Sequence, residues 1–260
     1  MSRRLVSRLL LALGLCAVLV PTAAWSQPAT ASADARLRAL YTEEWAWRQR
    51  DQGRRGDQPG DAGASDRLPR VDVASQEARL AHWTRTLETL DGIPFDELSA
   101  EEKVNAQVFR TSLRALVNDV RFRTYEAPFN SDTFFWTSFT PRQGFATADA
   151  YRAYLGRLRD VPRYFDDQIT NMRAGLARGF SVPRVSVLGR DATIEPYARG
   201  DTNNPLYVPF ADMPATVAAA DQAAMRAEAA TLLRDVVAPA CEKLLTFMRS
   251  EYLPKAATSP

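Results

Sequence analysis

Apolar residues recur at intervals of three and four along most of this 260-residue chain, which is the spacing of residues on one face of an α-helix. A stretch with Leu80, Trp83, Leu87 and Leu90 shows the pattern plainly. We find no convincing run that alternates apolar and polar residues, as a half-buried strand does. The sequence therefore predicts a mainly α fold: an array of about seven or eight helices, with an irregular aromatic-rich segment near residues 125–145.

Several residues mark predicted helix starts within this pattern. Ser75 begins the second helix, and Ser99 begins the third through a capping box with Glu102, in which each side chain accepts a hydrogen bond from the other residue's backbone amide. Pro162 and Pro239 stand where two later helices would take their first residue, a position that proline favours. Each proline is therefore expected to separate two helices.

The first residues have the organisation of a secretory signal peptide. Arg3, Arg4 and Arg8 precede an apolar run over residues 9–20, and Ala-Trp-Ser at 24–26 is a small-x-small cleavage site. The run is shorter than the roughly 20 apolar residues that span a bilayer. We expect residues 1–26 to be removed, and the product to be periplasmic or secreted and not membrane-bound.

The charge balance argues against a nucleic-acid partner, and the cysteine count argues against an internal disulfide bond. Three of the 33 basic residues lie in the leader, ahead of the first acidic residue, Asp34, so the remaining chain is close to neutral and slightly acidic. This balance gives no reason to expect a nucleic-acid partner. Cys16 lies in the leader, which leaves Cys241 without an internal disulfide partner. Cys241 is expected to be a small buried hydrophobe on a helix.

The chemistry-bearing residues match no familiar catalytic pattern. The chain contains one histidine, His82, and no His-Glu-x-x-His motif, Gly-x-Ser-x-Gly elbow or glycine-rich phosphate loop. His82 lies off the apolar stripe of its helix, so we expect it to face solvent or to bond locally, with a ligand or general base as the alternative. The acidic pairs Glu43–Glu44, Glu101–Glu102 and Asp166–Asp167 join neighbours that point about 100° apart on a helix. No catalytic residue and no metal ligand is predicted.

The aromatic segment between residues 129 and 136 is the best candidate for a ligand-contacting surface. Asn130 and Trp136 are its predicted binding residues, because amide and aromatic side chains together suit contact with a peptide or a sugar. The alternative is that these aromatics cover the ends of the surrounding helices.

Six segments together resemble the bacterial secreted proteins of the domain-of-unknown-function 885 family. Each is weak alone, and they occur in the family's order over nearly the whole chain after the leader. They are Leu40–Arg48, Asp66–Pro69, Val108–Arg114, Tyr154–Leu158, Met172–Gly179 and Glu251–Pro254. The predicted surface loop at Asp51–Asp66 departs from the family's pattern.

The resemblance implies a mainly helical, zinc-dependent peptidase whose longer relatives carry a His-Glu-x-x-x-Gly-His-type helix in their second half. That motif is not found here, so no metal ligand carries over to this sequence. We expect one helical domain over residues 27–260 that corresponds to the N-terminal half of the family domain. It would hold no cofactor, since zinc is expected only in the missing half, and it would be inactive as a hydrolase by itself.

Two functional interpretations stay open. In the first, this chain works with a C-terminal half or a second polypeptide. In the second, it is a stand-alone periplasmic binding or interaction module, for which a peptide is the expected ligand.

Overall fold

A computed structural model describes residues 31–51, 65–138 and 140–258. Within these residues the backbone forms helices and irregular segments and no strand, so the predicted mainly α fold is confirmed. The predicted signal peptide and most of the predicted loop at Asp51–Asp66 lie outside the described residues. None of the described helices combines the length and the apolar character that crossing a bilayer would take.

The helices are named here in chain order. They are α1 (Ala33–Asp51), α2 (Val73–Asp91), α3 (Ala100–Arg121), α4 (Ala148–Ala177), α5 (Arg184–Val187), α6 (Val208–Ala211), α7 (Ala219–Leu232), α8 (Ala238–Phe247) and α9 (Leu253–Lys255). Short 3-10 turns lie at Phe95–Glu97, Thr124–Glu126, Arg190–Ala198 and Pro205–Tyr207. Two π-helical turns, Leu233–Val237 and Met248–Tyr252, follow α7 and α8.

Helices α1, α2 and α3 pack around a first hydrophobic cluster, which includes the buried side chains of Leu37, Trp83 and Leu113. Polar contacts also join α1 to the start of α3. Arg38 Nε donates to Glu102 Oε1 at 2.6 Å. The cluster therefore buries one apolar face of each helix, while Trp45 on α1 and Val104 and Val108 on α3 stay exposed.

The observed caps correct two details of the predicted helix starts. Asp72, not Ser75, caps α2, because Asp72 Oδ1 accepts from the Ser75 amide at 3.0 Å and the helix begins at Val73. Ser99 caps α3 as predicted, since its hydroxyl oxygen accepts from the Glu102 amide at 3.3 Å. The second bond predicted for the capping box, from the Ser99 amide to the Glu102 side chain, is wrong. The Ser99 amide donates instead to Asp34 Oδ1 on α1 at 2.9 Å.

The two predicted proline boundaries are wrong as well. Pro162 lies inside the single helix α4, where a proline costs about 3 kcal/mol. The turns on both sides bury apolar residues such as Leu158 and Phe165, and this packing holds the helix together. Pro239 lies in α8, which continues from α7 through the first π-helical turn without leaving helical backbone.

Each π-helical turn ends two residues before a proline. The Ala238 amide donates to the carbonyl of Leu233, and the Leu253 amide donates to the carbonyl of Met248. Each bond therefore spans five residues where an α-helix spans four. Pro239 and Pro254 follow these amides, so each proline falls where the regular hydrogen-bond ladder has already shifted.

A second hydrophobic cluster, called here the aromatic cluster, surrounds α4 and the C-terminal helices. The predicted irregular segment near residues 125–145 contributes Phe129, Phe135 and Trp136 to it. The six largest fully buried side chains among the described residues are aromatic, and all six lie in this cluster: Trp136, Tyr151, Tyr154, Phe165, Phe210 and Tyr252.

Residues 65–71, called here the connecting segment, run along α4. Asp160 Oδ2 accepts from the Leu68 amide at 2.9 Å, and Arg163 Nη2 donates to the Leu68 carbonyl at 2.9 Å. Burial by itself would raise the pKa of Asp160, but the hydrogen bonds from Arg163 and Leu68 outweigh it and hold that pKa below its ordinary value. The segment is thus held against α4 by a buried carboxylate.

Candidate functional site

The two predicted binding residues have different surroundings. Trp136 is 0% exposed, and its Nε1 donates to Thr193 Oγ1 at 3.1 Å. Asn130 is exposed, and its Oδ1 accepts from the amides of Asp132 and Thr133 at 2.8 and 2.7 Å. One side chain therefore belongs to the core and the other holds a turn. A binding role for Asn130 and Trp136 stays a prediction.

A cavity of about 350 Å³ lies where α2 and α3 face α4 and the connecting segment. This volume is within the range of roughly 300–1,000 Å³ that is usual for ligand pockets. Its lining is part aromatic, part apolar and part polar: Pro69, Val71, Gln76, Arg79, Trp83, Leu116, Asp119, Val120, Thr124, Tyr125, Ser138 and Tyr164.

Helix α2 supplies the most buried polar wall of this cavity. Gln76, Arg79 and Trp83 follow one another at spacings of three and four, which places them on one helix face. Gln76 is only 7% exposed, and its amide group makes no hydrogen bond to any residue that the structure describes. Its amide atoms are not sealed in the core but open to the cavity. The donors and the acceptor of this amide are therefore available to whatever occupies the cavity.

Arg79, which is 8% exposed, is held in place but not saturated. Its Nε donates to Asp51 Oδ2, and its Nη2 donates to the Arg70 carbonyl, both at 2.6 Å. A guanidinium has five N–H donors, and its Nη1 makes no hydrogen bond to a described residue. Arg79 thus offers further donors at the cavity wall, while Asp51 already neutralises its charge.

Trp83 is the aromatic part of the same wall, and a buried carboxylate fixes its ring. Its Nε1 donates to Glu44 Oε1 at 3.1 Å, and Arg48 binds both oxygens of Glu44. The neighbouring His82 does not line the cavity: it is half-buried and stacks on Trp47 with 3.6 Å between ring centroids. Burial lowers the pKa of His82, and the charge of Glu44 opposes that shift.

The opposite wall comes from the end of α3, the turn after it, and α4. Asp119 is exposed, and its carboxylate makes no hydrogen bond or ion pair with a described residue. Burial raises the pKa of Tyr125, and the charge of Glu126 adds to that effect. Burial also raises the pKa of Tyr164. Both phenols therefore stay protonated at neutral pH and are able to donate hydrogen bonds.

A protein-family model described as bacterial protein of unknown function (DUF885) matches residues 52–260. The chain belongs to the DUF885 family. All of the cavity-lining residues fall within the match, whereas α1 precedes it. No curated protein matches the chain.

The sequence predicted no metal ligand in this DUF885 chain. Among the residues that the structure describes, no three His, Cys, Asp or Glu side chains form a group that could hold a metal ion. Cys241 is buried on α8, as expected, and burial raises the pKa of its thiol to about 12.

Gln76, Arg79 and Asp119 of the DUF885 cavity were not anticipated from the sequence. A signal for the first two exists, because both lie three or four residues from a member of the stripe at Leu80 and Trp83. In the structure Gln76 and Arg79 are buried whereas Leu80 is only partly buried, so the inner face of α2 is more polar than its apolar stripe indicates. Asp119 gives no such signal, since a lone acidic residue near the end of a helix is common.

Proposed function

We propose that this DUF885 chain binds a peptide in the cavity between α2, α3 and α4. The observation that carries the proposal is the amide of Gln76, which faces the cavity and has no hydrogen-bond partner among the described residues. A carboxamide offers two donors and an acceptor. A peptide backbone presents an N–H and a C=O to match, so it satisfies this group without placing a charge in the cavity.

The rest of the lining supports the same ligand class. Arg79 has free donors for a backbone carbonyl, and its charge is already paired with Asp51. Trp83, Tyr125 and Tyr164 supply aromatic surface on three sides. A mainly apolar and aromatic pocket with a few polar groups that fix orientation is the usual form of a ligand site.

The resemblance of the sequence to zinc-dependent peptidases also supports a peptide as the ligand. We propose further that the chain works outside the cytoplasm after loss of residues 1–26. As the N-terminal half of a family domain, it would hold a peptide without hydrolysing it by itself. Incubation of the purified protein with a peptide, followed by mass spectrometry, checks the last point: intact peptide is expected, and cleavage products would contradict it.

Calorimetric titration with capped pentapeptides tests peptide binding. The probes are acetyl-Gly-Leu-X-Leu-Gly-amide with arginine, citrulline or glutamate at X, so that neither terminus is charged. Gln76→Leu keeps the approximate size of the side chain and removes its amide. Gln107→Leu makes the same change at an exposed position of α3, outside the cavity. We expect binding to the wild type and to Gln107→Leu, and at least tenfold weaker binding to Gln76→Leu, about 1.4 kcal/mol.

Two outcomes would overturn the proposal. One is that no probe binds the wild type at millimolar concentration. The other is that Gln76→Leu, shown to be folded by circular dichroism, binds the probes as tightly as the wild type.

A further inference from the structure

The uncompensated charge at the cavity is negative. Arg79 and Asp119 are the charged side chains in its lining. Asp51 neutralises Arg79 across 2.6 Å, whereas Asp119 has no ion-pair partner among the described residues. The cavity and its immediate partners therefore carry one excess carboxylate, at the wall across from α2.

The charges beside the cavity-lining Tyr125 balance one another. Glu77, exposed on α2 next to Gln76, and Glu126 act on Tyr125 in one direction, and Arg123 and Arg178 act on it in the other. Glu126 is paired with both arginines. These surroundings therefore leave the charge of Asp119 uncompensated.

We infer that the peptide bound in this cavity carries a cationic group, which pairs with Asp119 while the peptide backbone meets Gln76 and Arg79. The inference rests on the proposed function and adds the ligand's charge. A cation beside Asp119 forms an ion pair, which salt screens because Asp119 is exposed. The stem of a basic side chain would also lie against Tyr125 or Tyr164, where aromatic rings attract cations.

Arg79 does not select an acidic ligand in this arrangement. Its charge is already compensated, so a carboxylate placed beside it would be buried near Asp51 as a second negative charge. Burying a charge without a partner is unfavourable. Arg79 therefore acts as a donor to neutral carbonyl oxygens, and Asp119 sets the charge preference.

The test compares ligand charge with Asp119 present and absent. The probes are the capped arginine pentapeptide, the capped citrulline pentapeptide, and the citrulline pentapeptide with a free amino terminus. Citrulline has nearly the shape of arginine without its charge, and the third probe distinguishes a terminal amine from a basic side chain. Asp119→Asn removes the charge from a side chain that makes no described hydrogen bond. Asp96→Asn is the matched control, exposed and outside the cavity.

At low salt we expect the wild type to bind at least one cationic probe about tenfold more tightly than the capped citrulline probe. That preference should fall below twofold in Asp119→Asn, persist in Asp96→Asn, and shrink as salt screens the pair. Equal binding of all three probes by the wild type would overturn the inference and leave the proposed function standing. A tenfold preference that survives in Asp119→Asn would do the same. If no probe binds at all, the proposed function fails and the inference falls with it.

Discussion

The aromatic cluster and the cavity differ in whether their polar groups have hydrogen-bond partners among the described residues. In the cluster, the hydroxyl groups of Tyr151 and Tyr154 donate to the carbonyls of Pro209 and Leu206 at 2.8 and 3.0 Å. The Tyr252 hydroxyl accepts from the Val182 amide at 3.0 Å. In the cavity, the amide of Gln76 has no described partner and is open to the cavity, although the residue as a whole is buried.

This difference separates residues that stabilise the fold from residues that are kept for a ligand. More than about nine-tenths of buried polar groups in proteins are hydrogen-bonded, and the phenol tips of the aromatic cluster follow that rule. A polar group that faces a cavity of ligand size without a protein partner adds little to stability and is available to a ligand. Substitutions in the two regions should therefore change the free energy of unfolding by different amounts.

The largest effect is expected for Trp136→Ala in the aromatic cluster. Removing a fully buried indole leaves a large void and removes the hydrogen bond that Trp136 donates to Thr193, so we expect a loss of about 3–5 kcal/mol in the free energy of unfolding. Urea denaturation followed by circular dichroism measures it. Trp45→Ala is the control, since Trp45 is 58% exposed, and should change the value by less than about 0.5 kcal/mol. Equal losses for the two variants would contradict the assignment of Trp136 to the core.

A smaller loss is expected when the connecting segment is released from α4. Asp160→Asn weakens charge-assisted bonds to Arg163 and Leu68, so we expect about 2 kcal/mol less stability at pH 7. The exposed Asp166, paired with Lys243, provides the control Asp166→Asn, which should lose less than about 1 kcal/mol.

The same carboxylate predicts a pH dependence. The pKa of Asp160 is lower in the folded state than in the unfolded one, so its contribution is complete above the unfolded pKa of about 3.9 and is lost as the pH falls through the folded pKa. Wild-type stability should therefore fall more steeply below about pH 4 than that of Asp160→Asn. Parallel curves would show that Asp160 does not hold the segment.

The smallest effects are expected for glutamine-to-leucine substitutions. The same substitution can be made in both regions, so it compares them directly. Gln76→Leu removes an amide that is open to the cavity and has no described partner, so we expect a change of less than about 0.5 kcal/mol. Gln168→Leu on α4 removes a buried amide that bonds Tyr164, so we expect a loss of about 1 kcal/mol. Urea denaturation measures both changes. Equal losses in the two variants would mean that Gln76 is an ordinary part of the core.

Local patterns predicted much of the fold. The helical spacing indicated the helices, and Gly179 follows α4 with a positive φ of 74°, which is common for a glycine just after a helix. The prolines were misinterpreted because burial on both sides of Pro162, and a shifted hydrogen-bond ladder before Pro239, outweigh local preference. Trp136 shows a second limit: the density of aromatic residues is visible in a sequence, but the side of the chain they cover is not.

The cavity was beyond sequence reasoning for a different reason. Its walls come from the connecting segment, α2, the end of α3 and the middle of α4, which lie far apart along the chain. Nothing local distinguishes Gln76 from a glutamine that is hydrogen-bonded. Its significance comes from the absence of a partner among the described residues, which only the packed structure displays.

The most direct test of the peptide site is a nitrogen-15 NMR titration that follows the side-chain amide of Gln76, assigned by its disappearance in Gln76→Leu. As the capped arginine pentapeptide is added, we predict that this signal shifts in proportion to the bound fraction while the side-chain signal of Gln107 stays in place. A peptide that binds and leaves the Gln76 signal unmoved would contradict the account.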